Sequence, residues 1–270
     1  MNTTPATAPQ SASARLVEML RSRFTFQISV DVDNIPLGLK VAEAALAAGV
    51  DVVELGTPLC KTAGTANAIP AFRARFPEAL LLADMKSMDG AGYEARAVYG
   101  FGGNIIDFLA LSGVDSARAV VAARDEVRAR DAGESADPMA RLAFADILVP
   151  QQGPAAVAIE VAERMVEAGV DGVGLHLQLD ARRADPSLYR SSYLSDVARA
   201  VHAKVGDRVS VQVVGGLNLA QAKALAADGL RAFVISGNMG IDDAEARYGA
   251  PAEEITRLCR AFIAEVSAAG

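Results

Sequence analysis

From Phe24 onward, eight short runs rich in Val, Ile, Leu and Phe recur along the chain, separated by longer Ala-rich stretches. The runs are FQISVD (26–31), DVVELG (51–56), LLLADM (80–85), NIIDFLAL (104–111), RLAFADILV (141–149), DGVGLHL (171–177), RVSVQVVGG (208–216) and LRAFVISG (230–237). They lack strict alternation of apolar and polar positions, as expected of strands in a parallel sheet covered on both faces. The intervening stretches have helical spacing. PLGLKVAEAALAAG puts Leu39, Ala42, Leu46 and Gly49 on one stripe, and AVAIEVAERMVEAG sets Glu160, Glu163 and Glu167 on the outer side. Gly49, Gly169 and Gly229 each stand just before the next strand, where a helix C-terminus favours glycine. The polar stretch 123–140 is longer than a helix needs and is expected to end in a surface loop.

Eight such units predict an α/β fold, a single (β/α)8 TIM barrel occupying residues 24–270 as the catalytic domain. A doubly wound open sheet has the same alternation, but the count of eight favours the barrel. Residues 1–23, which begin MNTTPATAPQSASA, are expected to be a disordered or loosely attached lead-in.

Composition narrows the function. With 270 residues, 51% of them hydrophobic, the chain can bury one core of barrel size. The net charge of −7 is spread over interspersed acids and bases, with no basic stripe, so nucleic acid is not an expected partner. A phosphorylated small ligand remains compatible, because local groups hold it rather than net charge. Cys60 and Cys259 are far apart and have no ligand spacing, so they read as small apolar residues rather than a zinc site or a disulfide framework. The first residues lack a basic and apolar signal pattern, and no apolar run reaches the roughly 20 residues of a membrane span. A cytoplasmic location away from membranes is expected.

Barrels place their chemistry at the C-terminal ends of the strands. There the sequence puts Asp31, Glu54, Asp84 with Lys86 and Asp89 just beyond, Asp146, His176, Gly215-Gly216, and Gly237-Asn238. Acids in apolar strands are costly unless paired or bound to a cation. One such acid, Asp31 or Asp146 alone, is explicable by pairing inside the barrel; the whole set at one mouth is not. Asp84 and Lys86 lie two apart and point the same way if the strand persists. An ammonium beside carboxylates stays charged and can deliver a proton or stabilise an enolate. Glu54 and Asp84, on neighbouring strands, are candidates to hold a hard cation such as Mg2+. His176 is a candidate proton-transfer group, whereas His202 falls in a helix and is expected to face solvent. Gly215, Gly216 and Gly237 suit close backbone approach to a ligand, though a tight βα turn would also want glycine there.

The segments QISVD (27–31), DVVELGTPLCKTAG (51–64) and LLADMKSMDGAGYEA (81–95), with Asp146, His176 and VVGG (213–216), resemble the orotidine monophosphate decarboxylase superfamily. The resemblance is nearest to its branch of 3-hexulose-6-phosphate synthases and 3-keto-L-gulonate-6-phosphate decarboxylases. It implies a Mg2+-dependent lyase acting through an enediolate. Glu54 and Asp84 would be the metal ligands and Lys86 would stand beside the intermediate. Asp89 would be offered across a homodimer interface, Asp31 and Asp146 would contact substrate, and His176 would move a proton. Leu179 stands where the decarboxylases carry arginine, and Asp180 where the synthases carry Asp, so the resemblance leans to aldol addition of formaldehyde to ribulose 5-phosphate. The alternatives are decarboxylation of a β-keto sugar acid and a non-catalytic sugar-phosphate binder. Leu177-Gln178 and Asn238 depart from the pattern; the Asn238 side chain is expected to donate to the ligand beside the Gly237 amide.

Overall fold

The computed structural model describes residues 10–136, 138–150, 153–190, 192–241 and 245–270. All eight apolar runs form strands: β1 (Thr25–Val30), β2 (Val52–Leu55), β3 (Leu80–Ser87), β4 (Ile105–Leu109), β5 (Leu142–Val149), β6 (Gly172–Leu177), β7 (Ser210–Val214) and β8 (Ala232–Ile235). They pair in parallel and in sequence order, and β1 closes on β8 through pairs such as Thr25 with Ala232. The sheet is therefore a closed eight-stranded barrel surrounded by helices, and the open-sheet alternative is excluded.

Helix Ile35–Ala48 starts at Asn34, whose side chain accepts from the Leu37 amide, and stops at Gly49 with φ of 100°. That left-handed turn is one a residue with a side chain adopts poorly. The residues the helix buries are Gly38, Val41, Ala42, Ala44 and Ala45, while Leu39 and Leu46 are only half-buried. The displacement has a steric reason. Helix Ala252–Ser267 packs alongside, and small residues let the backbones come close. His202 is half-buried against Gly206 rather than facing solvent, and burial, then Arg231, lowers its pKa. Helix Val114–Glu134 carries the polar stretch further than a short helix would before the loop begins.

The expected lead-in of residues 1–23 proves structured where it is described. Residues 1–9 lie outside the described residues, but Ala12–Ser22 form a helix capped by the Ser11 side chain, which accepts from the Ala14 amide. Its Leu16 and Leu20 are buried against Val52, Leu82, Ile105, Leu142 and Phe144. Most of these are first or early residues of β2 to β5, so the helix closes the N-terminal end of the barrel. Burying two leucines contributes about 1.5–3 kcal/mol each, which outweighs the polar composition around them. Cys60 and Cys259 are both buried and unpaired, as the sequence suggested. Among the described residues, no helix is long and apolar enough to cross a membrane.

Candidate active site

At the opposite end the barrel interior turns polar. On β1, Gln27 and Ser29 face inward with period two, and both donate to Glu54 of β2: Gln27 Nε2 to Oε2 at 2.5 Å and Ser29 Oγ to Oε1 at 3.0 Å. Gln212 of β7 continues the chain by donating to Gln27 Oε1 at 3.2 Å. Ser29 Oγ also lies 2.8 Å from Asp31 Oδ2, and the Tyr248 hydroxyl lies 3.3 Å from the same oxygen. A Cβ at Gly56 would strike the Asp31 carboxylate and the Val30 carbonyl, so glycine in the ELGTP segment makes the room that Asp31 occupies.

Lys86 is the centre of the site. Its Nζ donates to both oxygens of Asp84 at 2.8 Å and to Asp146 Oδ2 at 2.9 Å. The strand does not simply persist to put it there. Pairing with β4 shifts register between Asp84 and Ser87, and Lys86 takes φ of 45°. A left-handed lysine costs about 1–2 kcal/mol, here offset by three charge-assisted bonds. Burial alone would lower its pKa, but Asp146 and then Asp84 and Asp107 outweigh burial and raise it. Lys86 is thus a fixed ammonium.

Asp146 faces the same balance from the other side. Burial favours its neutral form, yet His176 and Lys86 hold it ionised, below the usual carboxylate range. Its Oδ2 lies 2.9 Å from His176 Nδ1. An ionised carboxylate only accepts, so Nδ1 is the donor and Nε2 is left for proton exchange. Glu54 and Asp107 go the other way: burial first, then neighbouring carboxylates, raises both.

Oxygens of Asp84, Asp107 and Asp146 lie within 4.8 Å of one another. Asp107 Oδ1 and Asp146 Oδ1 are buried without a hydrogen-bond partner. Three hard oxygen donors with two orphaned lone-pair sites fit a divalent cation of the Mg2+ kind. Asp84 belongs both to this cluster and to the Glu54–Asp84 pair expected from sequence, while Glu54 is outside the cluster.

Asp84 and Lys86 open on a cavity of about 520 Å³, whereas Asp107 and Asp146, the latter expected to contact substrate, are buried and do not line it. Asp31, Glu54, Asp84, Lys86, His176, Gly215, Gly216, Gly237 and Asn238 all line it; Asp89 does not, being exposed with its carboxylate on the Gly90 amide. Asn238 Nδ2 donates to the Gly216 and Ile241 carbonyls at 3.1 and 3.0 Å, so these bonds tie one βα loop to another. A larger groove of about 710 Å³ runs outside the barrel between helices Ile35–Ala48 and Ala252–Ser267, away from the site's acids and Lys86.

Sequence reasoning missed several residues of the mouth. Asp107 sits in the middle of its run, not at the end, though an acid bracketed by IIDFL was the signal. Thr57 Oγ1 donates to Asp84 Oδ2 at 2.6 Å. Tyr248 and Arg182 come from a loop and a six-residue helix, Leu179–Ala184, that no periodicity marks.

A closed parallel barrel with carboxylates, a clamped lysine and a histidine converging on its C-terminal mouth has the make-up of a (β/α)8 enzyme with a divalent-cation site. The chain belongs to the Orotidine 5'-phosphate decarboxylase / HUMPS family, whose profile matches residues 25–238. It is similar to a 3-hexulose-6-phosphate synthase of Methylomonas aminofaciens, with 28% identity over 87% of this chain and 98% of that protein. Among solved structures, KGPDC from Streptococcus mutans in complex with D-R5P superposes with a TM-score of 0.71 at 17% identity, covering 91% of this chain and 98% of that one. The 3-hexulose-6-phosphate synthase from Salmonella typhimurium gives 0.66 at 22% identity, with coverage of 88% and 100%.

Proposed function

We propose that this protein is a Mg2+-dependent carbon–carbon lyase that forms an enediolate on a phosphorylated ketose, the favoured reaction being aldol addition of formaldehyde to ribulose 5-phosphate. The observation that carries this reading is the Lys86 ammonium held between Asp84 and Asp146 at the floor of the cavity. A fixed positive charge there stabilises negative charge that develops on the substrate oxygens as a proton leaves the adjacent carbon. His176, oriented through Nδ1 by Asp146, takes or returns that proton at Nε2. Asp31 and Ser29 orient the hydroxyls at the reacting end. Asp84 is the residue on which cation binding turns, with Glu54 on one flank and Asp107 and Asp146 on the other. When bound, the cation supplies Lewis-acid polarisation of the carbonyl. In this reading Asp89, which is exposed beyond β3, serves a neighbouring subunit of a homodimer.

The relative from Methylomonas aminofaciens supports synthase chemistry, as does Leu179 on the cavity wall three residues after His176. The test is Mg2+-dependent exchange of the ribulose 5-phosphate C1 proton with deuterium, together with formaldehyde release from hexulose 6-phosphate. Exchange without formaldehyde release, accompanied by CO2 release from 3-keto-L-gulonate 6-phosphate, would move the assignment to the decarboxylase. Absence of exchange with every sugar phosphate tried would remove the enediolate reading.

A further inference from the structure

The barrel mouth has a seam where β8 stops short of the end of β1. Pairs between the two strands run from Thr25 with Ala232 to Ile28 with Ile235 and end there. The Val30 carbonyl accepts from the Gly56 amide on the β2 side. Backbone groups along a strand turn alternately to its two neighbours, so the Ser29 carbonyl faces β8, one residue past the last pair. A buried carbonyl without a donor is costly. Tyr248 supplies that donor: its hydroxyl bonds the Ser29 carbonyl at 2.7 Å, doing for β1 what a longer β8 would have done.

The turn that carries Tyr248 is pinned at both ends. It closes through the Ala250 amide on the Arg247 carbonyl at 2.9 Å. At its start, the Arg247 amide donates to the Gly237 carbonyl at 2.9 Å. At its end, Lys40 Nζ of helix Ile35–Ala48 donates to the Ala250 carbonyl at 2.9 Å. A Cβ at Gly237 would come within 3.1 Å of the tyrosine ring, so glycine at the β8 exit leaves the ring its place. Burial, then Asp31, raises the pKa of the phenol, so the hydroxyl keeps its hydrogen.

A phenol has one hydrogen to give, and here the nearer acceptor takes it. The Tyr248 oxygen then meets Asp31 Oδ2 at 3.3 Å as one acceptor beside another. It limits where the carboxylate can lie without satisfying it. On a different side, Asp31 Oδ1 lies against Gly56, where a Cβ would strike it. Asp31 is exposed to the cavity, whereas Tyr248 is buried behind it. We infer that Tyr248 is a positioning residue: by fixing the end of β1 and standing against Asp31, it holds that carboxylate open toward a ligand hydroxyl. The inference rests on the proposed function for the part Asp31 plays, and adds a residue that acts through it.

The experiment is calorimetric titration of the full chain with ribulose 5-phosphate, as wild type, Tyr248→Phe, Asp31→Asn and the double variant. Deuterium exchange and the unfolding midpoint are followed alongside. Tyr248→Phe keeps the ring against Gly237 and removes only the hydroxyl. It is expected to weaken binding about threefold to tenfold, the size of one lost hydrogen bond, with KM for exchange rising in step. In the Asp31→Asn background the same substitution is expected to weaken binding no further, because the carboxylate it acts through is already gone. Equal losses in both backgrounds would show a merely structural role, and no loss in the wild-type background would show no role; each overturns the inference. Asp31→Asn that binds as tightly as wild type overturns it too. A coupled loss of affinity in a protein that exchanges no ketose proton would uphold the inference and remove the enediolate reading. Exchange in wild type with uncoupled losses would do the reverse, and a wild-type protein that binds no ketose phosphate would remove both.

Discussion

The two ends of the barrel are closed by opposite chemistry. At the N-terminal end, Leu16 and Leu20 fill the opening and meet Val52, Leu82, Ile105, Leu142 and Phe144 in a wholly apolar cluster. At the C-terminal end, Glu54, Asp84, Asp107 and Asp146 are buried around one ammonium and one histidine. The first arrangement stabilises the fold, since apolar area leaves water with no group left wanting a partner. The second opposes it, since four buried carboxylates exceed the charge that Lys86 supplies, and burial first, then the neighbouring carboxylates, raises the pKa of Glu54 and Asp107. Stability and chemistry are thus separated along the barrel axis, and a substitution at one end should leave the other's readout intact.

The strongest challenge to that separation is Lys86→Ala. It is expected to lower the exchange rate by about 10³-fold or more while the unfolding midpoint stays within the range of a soluble, folded chain. A preserved rate would show that the ammonium is not the charge the intermediate needs. At the other end, Leu20→Ala should cost about 2–5 kcal/mol in denaturant unfolding with the exchange rate unchanged; a parallel fall in rate per folded molecule would couple the ends. A smaller effect distinguishes the two flanks of Asp84. Asp84→Asn should abolish Mg2+ binding measured by calorimetry, and Asp107→Asn should weaken it about tenfold to a hundredfold; unchanged affinity in Asp107→Asn would assign the cation to the Glu54 side.

The smallest effect is a pH dependence at the N-terminal end. Burial lowers the pKa of His202 below its unfolded value, so its contribution is fully present above about pH 6.5 and is lost as the pH falls through the folded value. His202→Gln should flatten the midpoint-against-pH curve below that pH and leave the exchange profile unmoved.

The barrel was legible because its eight runs are set by burial on both faces, a property each residue carries in its own chemistry. Asp84, Lys86 and His176 were legible for a related reason: charged groups at the ends of apolar runs are costly unless used. Asp107 escaped because it stands mid-run, where only its pairing with Asp84 across β3 and β4 shows that it faces the same interior. Arg182 and Tyr248 escaped because their positions depend on how loops fold back. The N-terminal helix escaped because Leu16 and Leu20, spaced by four, are too few to stand out among polar neighbours.

Tyr248 joins distant parts of the sequence: its hydroxyl donates to the Ser29 carbonyl at 2.7 Å and lies 3.3 Å from Asp31 Oδ2. Read in the order in which a ribosome delivers the chain, this bond separates two events. Every residue of the apolar plug has emerged by Phe144, so the closed end of the barrel has its components at little more than half-length. Asp31, made among the first, gains its contact with Tyr248 only when that residue arrives and β8 has paired with β1. A growing chain therefore holds a complete hydrophobic seat long before it holds a complete set of reactive groups, and the acidic mouth is among the last parts to be assembled.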